Sequence, residues 1–239
     1  MGHHIVELRQ YRLYPGTRET LIALFDRELV ESQEATGMQV IAQFRDVDRP
    51  DVFTWLRGFP SMTARATSLA AFYDGPVWAR HRDAANVTMI SSDDVRLLRP
   101  VRSGTDIVVG DRPAAGVPRR ARGLVVVTVY ALAASAAQGF AEHFERLAVP
   151  LLTAHGGAPI AMLETEPSIN SFPRLPVREE EHAFVRMARF DDVAAHDRHV
   201  TELAADAGWA KDAYPSLARG FTASPEVLRL EPTSRSRIL

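Results

Sequence analysis

The fold is decided by one stretch in the first half of the chain. It reads VFTWLRGFPSM at 52–62, ARATSLAAFYDGPVWARHRDAANVTM at 64–89 and SSDDVRLLRP at 91–100. These pieces predict a strand, a helix broken at Gly75-Pro76 and a further, edge-like strand. Similar pieces return in the same order later in the chain, as AFVRMARFDD at 183–192, AGWAKDAY at 207–214 and SPEVLRLEP at 224–232.

The segment that precedes this stretch completes one structural unit. Residues 5–14 predict a strand, and Thr17 is placed to cap the helix that follows. Apolar residues then recur at helical spacing until Gly37, which is suited to end a helix. Residues 38–48 predict a second strand. The resulting order, β-α-β-β-α-β, is typical of a ferredoxin-like unit.

The same pattern restarts near residue 122. LVVVTVYAL at 124–132 predicts a strand, and Ser135 with Gln138 predicts a capping box at the start of the next helix. Pro150 predicts that the regular part of this helix ends near Ala148.

Two constant offsets relate the halves. Tyr130 follows Tyr11 by 119 positions and Phe144 follows Phe25 by the same 119, whereas Phe190 follows Phe59 and Trp209 follows Trp78 by 131. The difference, 131 − 119 = 12, predicts a loop extension of twelve residues in the second half. It falls within residues 165–181, where three prolines exclude a regular strand.

A duplicated unit has a physical explanation. A four-stranded sheet with both helices on one side leaves its other face bare, and both faces of LVVVTVYAL are apolar. We therefore predict an α+β fold in which two tandem ferredoxin-like (βαββαβ) units form a pseudo-dimer of the dimeric α/β-barrel type, unless a second chain supplies the cover. The predicted boundaries are 1–101 for the first unit, 102–121 for a linker and 122–234 for the second unit.

Composition limits the function classes. The chain has 239 residues, a net charge of −2 and no cysteine. The charge gives no support for nucleic acid as a partner, and the short basic cluster at 119–122 does not change that. Without cysteine there are no disulfides, thiolate nucleophiles or cysteine-bound metals. No apolar run is long enough for a membrane span, and the residues at 1–4 do not resemble a signal peptide, so a cytoplasmic location is expected.

Several motifs together resemble the NIPSNAP family. They are ELRQYRLYPG at 7–16, GFPSM at 58–62, AFYDGPVWARHRDAAN at 71–86 and VRLLRP at 95–100. The first half resembles this domain over its whole length, whereas the second half is a weaker copy that lacks the HRDAAN segment. The resemblance implies a ferredoxin-like barrel with a small, largely apolar cavity. It implies no single reaction, because the related barrels include monooxygenases, cyclases, isomerases and haem enzymes.

Polar side chains on two predicted strands are the first candidates for chemistry. Glu7, Arg9 and Tyr11 share one face of the first strand, and Trp55 and Arg57 share a face of the third. A buried arginine must be paired or face a polar cavity. Arg9 or Arg57 could therefore orient a carboxylate or stabilise an oxyanion, with Tyr11 moving protons. The alternative is a salt bridge between Glu7 and Arg9, or between subunits.

The broken helix supplies the second group of candidates. Trp78, Arg82 and Asn86 recur every four residues and so lie on one side, with His81 nearby. His81 could act as a general base, although such a histidine more often caps a helix or bonds at an interface. Tyr73 and Trp78 could line a pocket or simply anchor the core.

Cofactor sites have little support. His196 and His199 lie three apart on a predicted helix, but the acidic residues around them favour a solvated face over a metal site. A haem would require one of four histidines that no motif distinguishes: His143, His155, His182 or His199. No glycine-rich phosphate loop and no G-x-S-x-G elbow is present, so the sequence predicts neither a metal nor a cofactor.

The sequence therefore predicts a cofactor-independent enzyme of specialised metabolism. It would cyclise, isomerise or oxygenate a small, mostly apolar metabolite, with a homodimer as a further expectation. The alternative is a non-catalytic small-molecule-binding or assembly module of the NIPSNAP family. A pocket of at least about 300 Å3 with convergent polar groups would favour a ligand site, and an interface filled by side chains would favour the alternative.

Overall fold

The computed structural model describes residues 4–116 and 123–238. Residues 1–3 and the basic cluster at 119–122 lie outside the described residues. Eight antiparallel strands close into one barrel, in the order β1-β3-β2-β8-β5-β7-β6-β4. The strands are β1 (Ile5–Leu13), β2 (Gln39–Asp46), β3 (Val52–Phe59), β4 (Met89–Pro100), β5 (Leu124–Leu132), β6 (Pro159–Thr165), β7 (His182–Phe190) and β8 (Glu226–Pro232).

Helices cover the outside of the barrel. In the first half they are α1 (Arg18–Leu24), α2 (Val30–Glu34), α3 (Met62–Tyr73) and α4 (Pro76–Asn86). In the second half they are α5 (Ala134–Ala137), α6 (Phe140–Leu147), α7 (Val149–Ala154), α8 (Val193–Ala205) and α9 (Tyr214–Ala218). Two π-helical turns interrupt them, at Phe25–Leu29 and Trp209–Ala213. Within the described ranges, no helix has the length and apolar character needed to cross a bilayer.

The two halves use the same strand pairing. In the first half the order is β4-β1-β3-β2, and in the second it is the equivalent β8-β5-β7-β6, read in the same direction around the barrel. Tyr11 lies opposite Phe53 on β3, and Tyr130 lies opposite Phe184 on β7. These positions differ by the 119 and 131 predicted from the sequence. The barrel closes where β2 pairs with β8 and β4 pairs with β6, so closure occurs within one chain.

Alternation along the strands separates two apolar layers. Val6 and Leu8 point into the barrel, where they join a fully buried core with residues such as Val127 and Leu230. The alternate positions on the same strand, such as Ile5, Tyr11 and Leu13, face the helices. Ile107, in the segment between the halves, is buried with the barrel core. Part of the predicted linker therefore packs against the barrel.

Four local predictions need correction. Thr17 occupies the N-cap position of α1, but its hydroxyl donates to the Tyr14 and Thr88 carbonyls and makes no capping bond. The capping box at Ser135 is absent, because α5 starts one residue earlier, at Ala134. The edge-like strand predicted in SSDDVRLLRP at 91–100 runs from Met89 to Pro100 and pairs on both sides, so it is no edge. His196 and His199 are buried, not on a solvated face.

Other local predictions are confirmed. The first-half helix breaks between Tyr73 and Pro76, and Gly37 lies just beyond α2 with a positive φ of 92°. In the second half α6 ends at Leu147 and Pro150 lies in the first turn of α7.

Candidate functional site

A cavity of about 240 Å3 lies between the outer face of the first-half sheet and its helices. Seven of its 17 lining residues are aromatic: Tyr11, Phe25, Trp55, Phe72, Tyr73, Trp78 and Phe172. Its polar lining is formed by Arg9, Gln33, Asn86, Ser92 and Arg174. The volume is below the roughly 300 Å3 of a typical ligand pocket, so any ligand must be small.

Behind the cavity wall lies a buried ionic cluster of one carboxylate and three guanidiniums. Glu7 accepts hydrogen bonds from Arg9 Nη1 at 2.6 Å, Arg57 Nε at 2.7 Å and Arg65 Nε at 2.6 Å. All four side chains are at most 1% exposed. The strand register explains the arrangement, because Glu7 lies directly opposite Arg57 and Arg9 lies opposite Trp55. Arg65 reaches the cluster from α3.

Neutral groups complete part of the cluster. Arg57 Nη1 donates to the Gln33 side chain at 3.3 Å, and Arg65 Nη1 donates to Asn170 Oδ1 at 3.0 Å. The Nη2 atoms of Arg57 and Arg65 are buried and have no hydrogen-bond partner among the described residues. Three cations therefore share one anion, and the described cluster carries an excess of two positive charges.

The charges fix the protonation states. Burial alone would raise the pKa of Glu7, but the positive charges of Arg57, Arg9 and Arg65 outweigh it and hold the pKa far below its usual range. Burial works against the charge of Arg9, yet Tyr11 and Glu7 together raise its pKa. Burial lowers the pKa of Arg65, and the neighbouring Arg57 and Arg9 lower it further. Near neutral pH, Glu7 is thus an anion and Arg9 a cation.

Tyr11 connects the cluster to the cavity. Its hydroxyl oxygen accepts a hydrogen bond from Arg9 Nε at 3.0 Å, and the Arg9 guanidinium lies 5.4 Å from the centre of the Tyr11 ring. Burial raises the pKa of Tyr11, which the charge of Arg9 only partly opposes. Tyr11 is therefore neutral, and because its oxygen already accepts from Arg9, its own proton is free to be donated elsewhere.

A loop from the second half closes the cavity. Residues 166–181 join β6 to β7 and contain the extension predicted from the offsets. Phe172 stacks on Tyr73 with ring centres 6.1 Å apart, and Arg174 Nη1 donates to Asp74 Oδ1 at 2.7 Å. The Ser171 hydroxyl accepts from Arg65 at 3.1 Å. The sequence locates this insertion, but nothing in it indicates that the loop lies over the other half.

The structure brings six of the nine predicted site residues to the cavity. They are Arg9, Tyr11, Trp55, Tyr73, Trp78 and Asn86. Arg57 lies behind the wall, in the ionic cluster. His81 and Arg82 do not belong to the lining: His81 Nε2 is 3.5 Å from Glu28 Oε2, and the side chain of Arg82 is 58% exposed beside Asp83. The catalytic and binding roles of all nine stay predictions.

Sequence reasoning missed two contributions to the site. Arg65 could have been found from the sequence, because it is a charged residue in the apolar stripe that Leu69 and Phe72 form on α3. The π-helical turn at Phe25–Leu29 has none, although both of its end residues line the cavity. Such turns are frequent at functional sites because the widened helix redirects its side chains.

In the second half the corresponding space is filled. Tyr130 is surrounded by phenylalanine rings at centre distances of 5.3 to 6.3 Å, from Phe140, Phe144, Phe184 and Phe221. The positions that match Glu7, Arg9 and Arg57 hold Val126, Thr128 and Ala188. No equivalent ionic cluster can form there.

Other parts of the described chain offer weaker sites. Three larger clefts of about 320 to 710 Å3 have no buried charged side chain in their lining. The described ranges also contain no group of three or more histidine, aspartate or glutamate side chains arranged to hold a metal ion. The first-half cavity alone among these combines aromatic walls with a buried charge.

Comparison with known proteins supports the fold and assigns a domain. Residues 6–103 match the family model described as NIPSNAP, so the first half carries a NIPSNAP domain. An anthrone oxidase-like protein superposes with a TM-score of 0.60 at 14% identity, covering 99% of this chain and 97% of that one. A candidate monooxygenase from Lactobacillus acidophilus NCFM gives 0.55 at 13% identity, with 95% and 93% covered.

Shorter NIPSNAP structures also match. A NIPSNAP family protein from Agrobacterium tumefaciens strain C58 is 24% identical over 41% of this chain and 94% of its own, with a TM-score of 0.39. The comparison with curated proteins gave no match. At these identities the full-length structural matches show the fold alone: the chain has the α/β barrel architecture of these monooxygenase-like proteins.

Proposed function

Taking the NIPSNAP domain of residues 6–103 as the premise, we propose that the chain is a cofactor-independent enzyme acting on a small, mostly apolar metabolite. The reaction would be a cyclisation, isomerisation or oxygenation, in specialised metabolism. One observation carries the proposal: a buried, charged Arg9 and a neutral Tyr11 lie together in the wall of an otherwise largely apolar cavity.

Each of these reaction types can begin with removal of a proton from the carbon beside a carbonyl group. Negative charge then develops on the substrate oxygen. Arg9 and the Tyr11 hydroxyl are two fixed donors that would stabilise this charge in a site with little water. A donor of this kind contributes about 3 kcal/mol to the transition state. Glu7 would hold Arg9 in place through their 2.6 Å contact.

The proposal gives Tyr11 the role of proton donor. Its raised pKa keeps the hydroxyl protonated near neutral pH. Tyr11 therefore cannot serve as a base there, but it can donate a hydrogen bond to an oxyanion. His81 is the proposed general base, as the sequence suggests. Its ring pairs with Glu28 on the neighbouring π-helical turn, so it would have to turn toward the cavity.

The test is exchange of carbon-bound protons, which requires no knowledge of the natural substrate. A panel of small aromatic ketones with hydrogens on the carbon beside the carbonyl is incubated with the protein in D2O, and loss of the proton signal is followed by NMR. We expect Arg9→Met to slow exchange by roughly 10²–10³-fold. Tyr11→Phe should also slow it, whereas Tyr130→Phe, the change in the filled half that matches Tyr11→Phe, should leave it unaltered. Unchanged exchange in Arg9→Met, Tyr11→Phe and His81→Ala would defeat the assigned roles.

A specific observation favours the alternative function. At about 240 Å3 the cavity is small, and Glu7 pairs with all three arginines, as a purely structural cluster would. In a non-catalytic binding or assembly module, ligands would bind without any proton exchange. Binding that is lost in Arg9→Met, together with no exchange in the unsubstituted protein across the panel, would support this alternative.

We also propose that the barrel is a pseudo-dimer of two ferredoxin-like units, at 1–101 and 122–234, with a linker at 102–121. Support comes from the common strand order and from the 119 and 131 offsets in the pairing of β1 with β3 and of β5 with β7. A homodimer would then join two complete barrels. Sedimentation equilibrium would measure the mass, and a monomer at micromolar concentration would contradict the homodimer.

A further inference from the structure

The described residues do not neutralise the positive charge of the buried cluster. Glu7 is the one carboxylate in contact with Arg9, Arg57 and Arg65, and the remaining partners, Gln33 and the loop residues at 170–171, are neutral. An excess of buried positive charge is costly unless an anion compensates it. The cluster therefore favours a further anion.

Tyr11 does not supply this anion. Tyr11 lies nearest, and its raised pKa keeps it neutral near pH 7. Its oxygen accepts a hydrogen bond from Arg9 without carrying a charge. The place for an anion is the cavity itself, since Arg9 is the one member of the cluster that lines it.

The shape and walls of the cavity restrict the rest of the ligand. Rings of Trp55, Tyr73 and Trp78 face the space, and Tyr73 is backed by Phe172 from the second half. Aromatic side chains favour a flat ring at stacked or edge-on contact. A volume of about 240 Å3 leaves room for a small ring system and little more.

We propose that the cavity binds a small aromatic carboxylate, with its carboxylate group against Arg9 and the Tyr11 hydroxyl and its ring among the aromatic side chains. The inference rests on the proposed function in taking the same cavity as the substrate site. It adds that the ligand is an anion before any reaction, and that charge formed by loss of a proton from the carbon beside the carboxylate would fall on these same oxygens. A carboxylate matches these two donors, because each of its oxygens can accept one of them.

The experiment compares benzoate with benzamide, which has the same shape and no charge. Binding is measured by calorimetry and by fluorescence of the tryptophans in the cavity wall. We expect the protein to bind benzoate at least about tenfold more tightly than benzamide, since hydrogen bonds to a charged group are the stronger ones. Benzoate should also raise the unfolding temperature in a concentration-dependent way, because it binds only the folded state.

Variants identify the side chain whose charge causes the preference for benzoate over benzamide. Arg9→Met should remove the preference for benzoate, and Tyr11→Phe should weaken it. Arg186→Met, a change of a buried arginine in the second half, should retain it. If Arg9→Met fails to fold, Tyr11→Phe and the benzoate-to-benzamide ratio of the unsubstituted protein still decide the question.

Each outcome has a defined meaning. Equal binding of benzoate and benzamide, tighter binding of benzamide, or no binding of benzoate and of the larger 1-naphthoate would overturn the inference. Selective benzoate binding in a protein that exchanges no carbon-bound protons would support the inference while the catalytic proposal fails. Exchange on neutral ketones without any benzoate binding would support the catalytic proposal and overturn the inference.

Discussion

In the first half, Tyr11 lies between an ionic cluster and an open cavity, whereas the corresponding Tyr130 of the second half is packed among four phenylalanine rings. The backbone beneath the two tyrosines is paired in the same register. The difference therefore arises not from the strand pairing but from the side chains on the strands and from the helices and loop that pack over them. A shared strand framework tolerates a polar site in one copy and an apolar core in the other.

The filled half also contributes to the open one. Its 166–181 loop supplies Phe172 and Arg174 to the cavity wall and Asn170 to the cluster. The second half thus does more than complete the barrel: it provides a rigid, well-packed base from which a loop covers the site. The predictions that follow test this division of roles.

The largest effect is expected from Glu7→Gln. The change leaves three buried guanidiniums without their shared carboxylate, which should lower the free energy of unfolding by about 3–5 kcal/mol. Glu145→Gln, which removes the carboxylate of the exposed pair with Arg102, is the control and should cost about 0–1 kcal/mol. Urea denaturation measures both. Equal losses in the two variants would show that the cluster is not a buried, interdependent unit.

Glu7 also predicts how the first half responds to acid. Its pKa in the folded state lies far below the ordinary 4.5, so its contribution is complete above about pH 4.5 and is lost as the pH falls through the folded value. The free energy of unfolding should decrease below pH 4.5, and the decrease should be shallower in Glu7→Gln. Parallel curves for the two proteins would contradict the assignment.

The next prediction concerns the paired phenylalanines Phe25 and Phe144. Phe144 is fully buried among other rings, so Phe144→Ala should cost about 3–5 kcal/mol. Phe25 already borders a cavity and loses fewer contacts, so Phe25→Ala should cost about 1–2 kcal/mol less. Thermal and urea unfolding measure the difference. A larger cost for Phe25→Ala would mean that the first-half space is as tightly packed as the second.

The second half should respond to pH in a different window. Burial lowers the pKa of His196, helped by His199, and burial lowers that of His199 against the opposing hydrogen bond to the His155 carbonyl. A lowered histidine pKa stabilises the fold above about 6.5, and this contribution is lost as the pH falls through the folded values. Stability should begin to decline below pH 6.5, well before Glu7 titrates, with a smaller total loss.

Replacing both histidines, as His196→Gln with His199→Gln, should flatten the decline between pH 6.5 and 5. The Glu7→Gln variant should keep that decline, because its change lies in the other half. A profile that is flat between pH 7 and 5 in the unsubstituted protein would show that the two rings stay accessible to protons.

The sequence predicts the arrangement of strands and helices well and the site in part. Pairs such as Tyr11 and Tyr130 are visible in the sequence because large aromatic side chains occupy fixed positions in a repeated core. Glu7, Arg9 and Arg57 share a face by simple alternation, which the strand register confirms. His81 was harder to judge, because a helical spacing gives the side of the helix but not whether a glutamate from another helix will pair with it.

Other features depend on packing that no local pattern contains. The π-helical turn at Phe25–Leu29 has no distinguishing residue, and His196 and His199 are buried because Phe190 packs against both rings. The length of the 166–181 loop follows from the offsets, but its direction depends on contacts with Tyr73 and Asp74 of the other half.

The smallest effect on stability, and the sharpest test of how the halves cooperate, is expected from Asp74→Asn. Asp74 and Arg174 are mostly exposed, so loss of their 2.7 Å pair should change the free energy of unfolding by only about 0–1 kcal/mol. Asp74 does not line the cavity, so the affinity for benzoate should be nearly unchanged.

The pair does hold the loop of the second half over the first, and its loss should speed both entry and release of benzoate severalfold in stopped-flow fluorescence. Glu145→Gln, which breaks an exposed pair elsewhere, should alter neither rate. If Asp74→Asn leaves both rates unchanged, the loop is held by its other contacts, such as those of Asn170, Ser171 and Phe172, and the second half acts on the site only as a fixed wall.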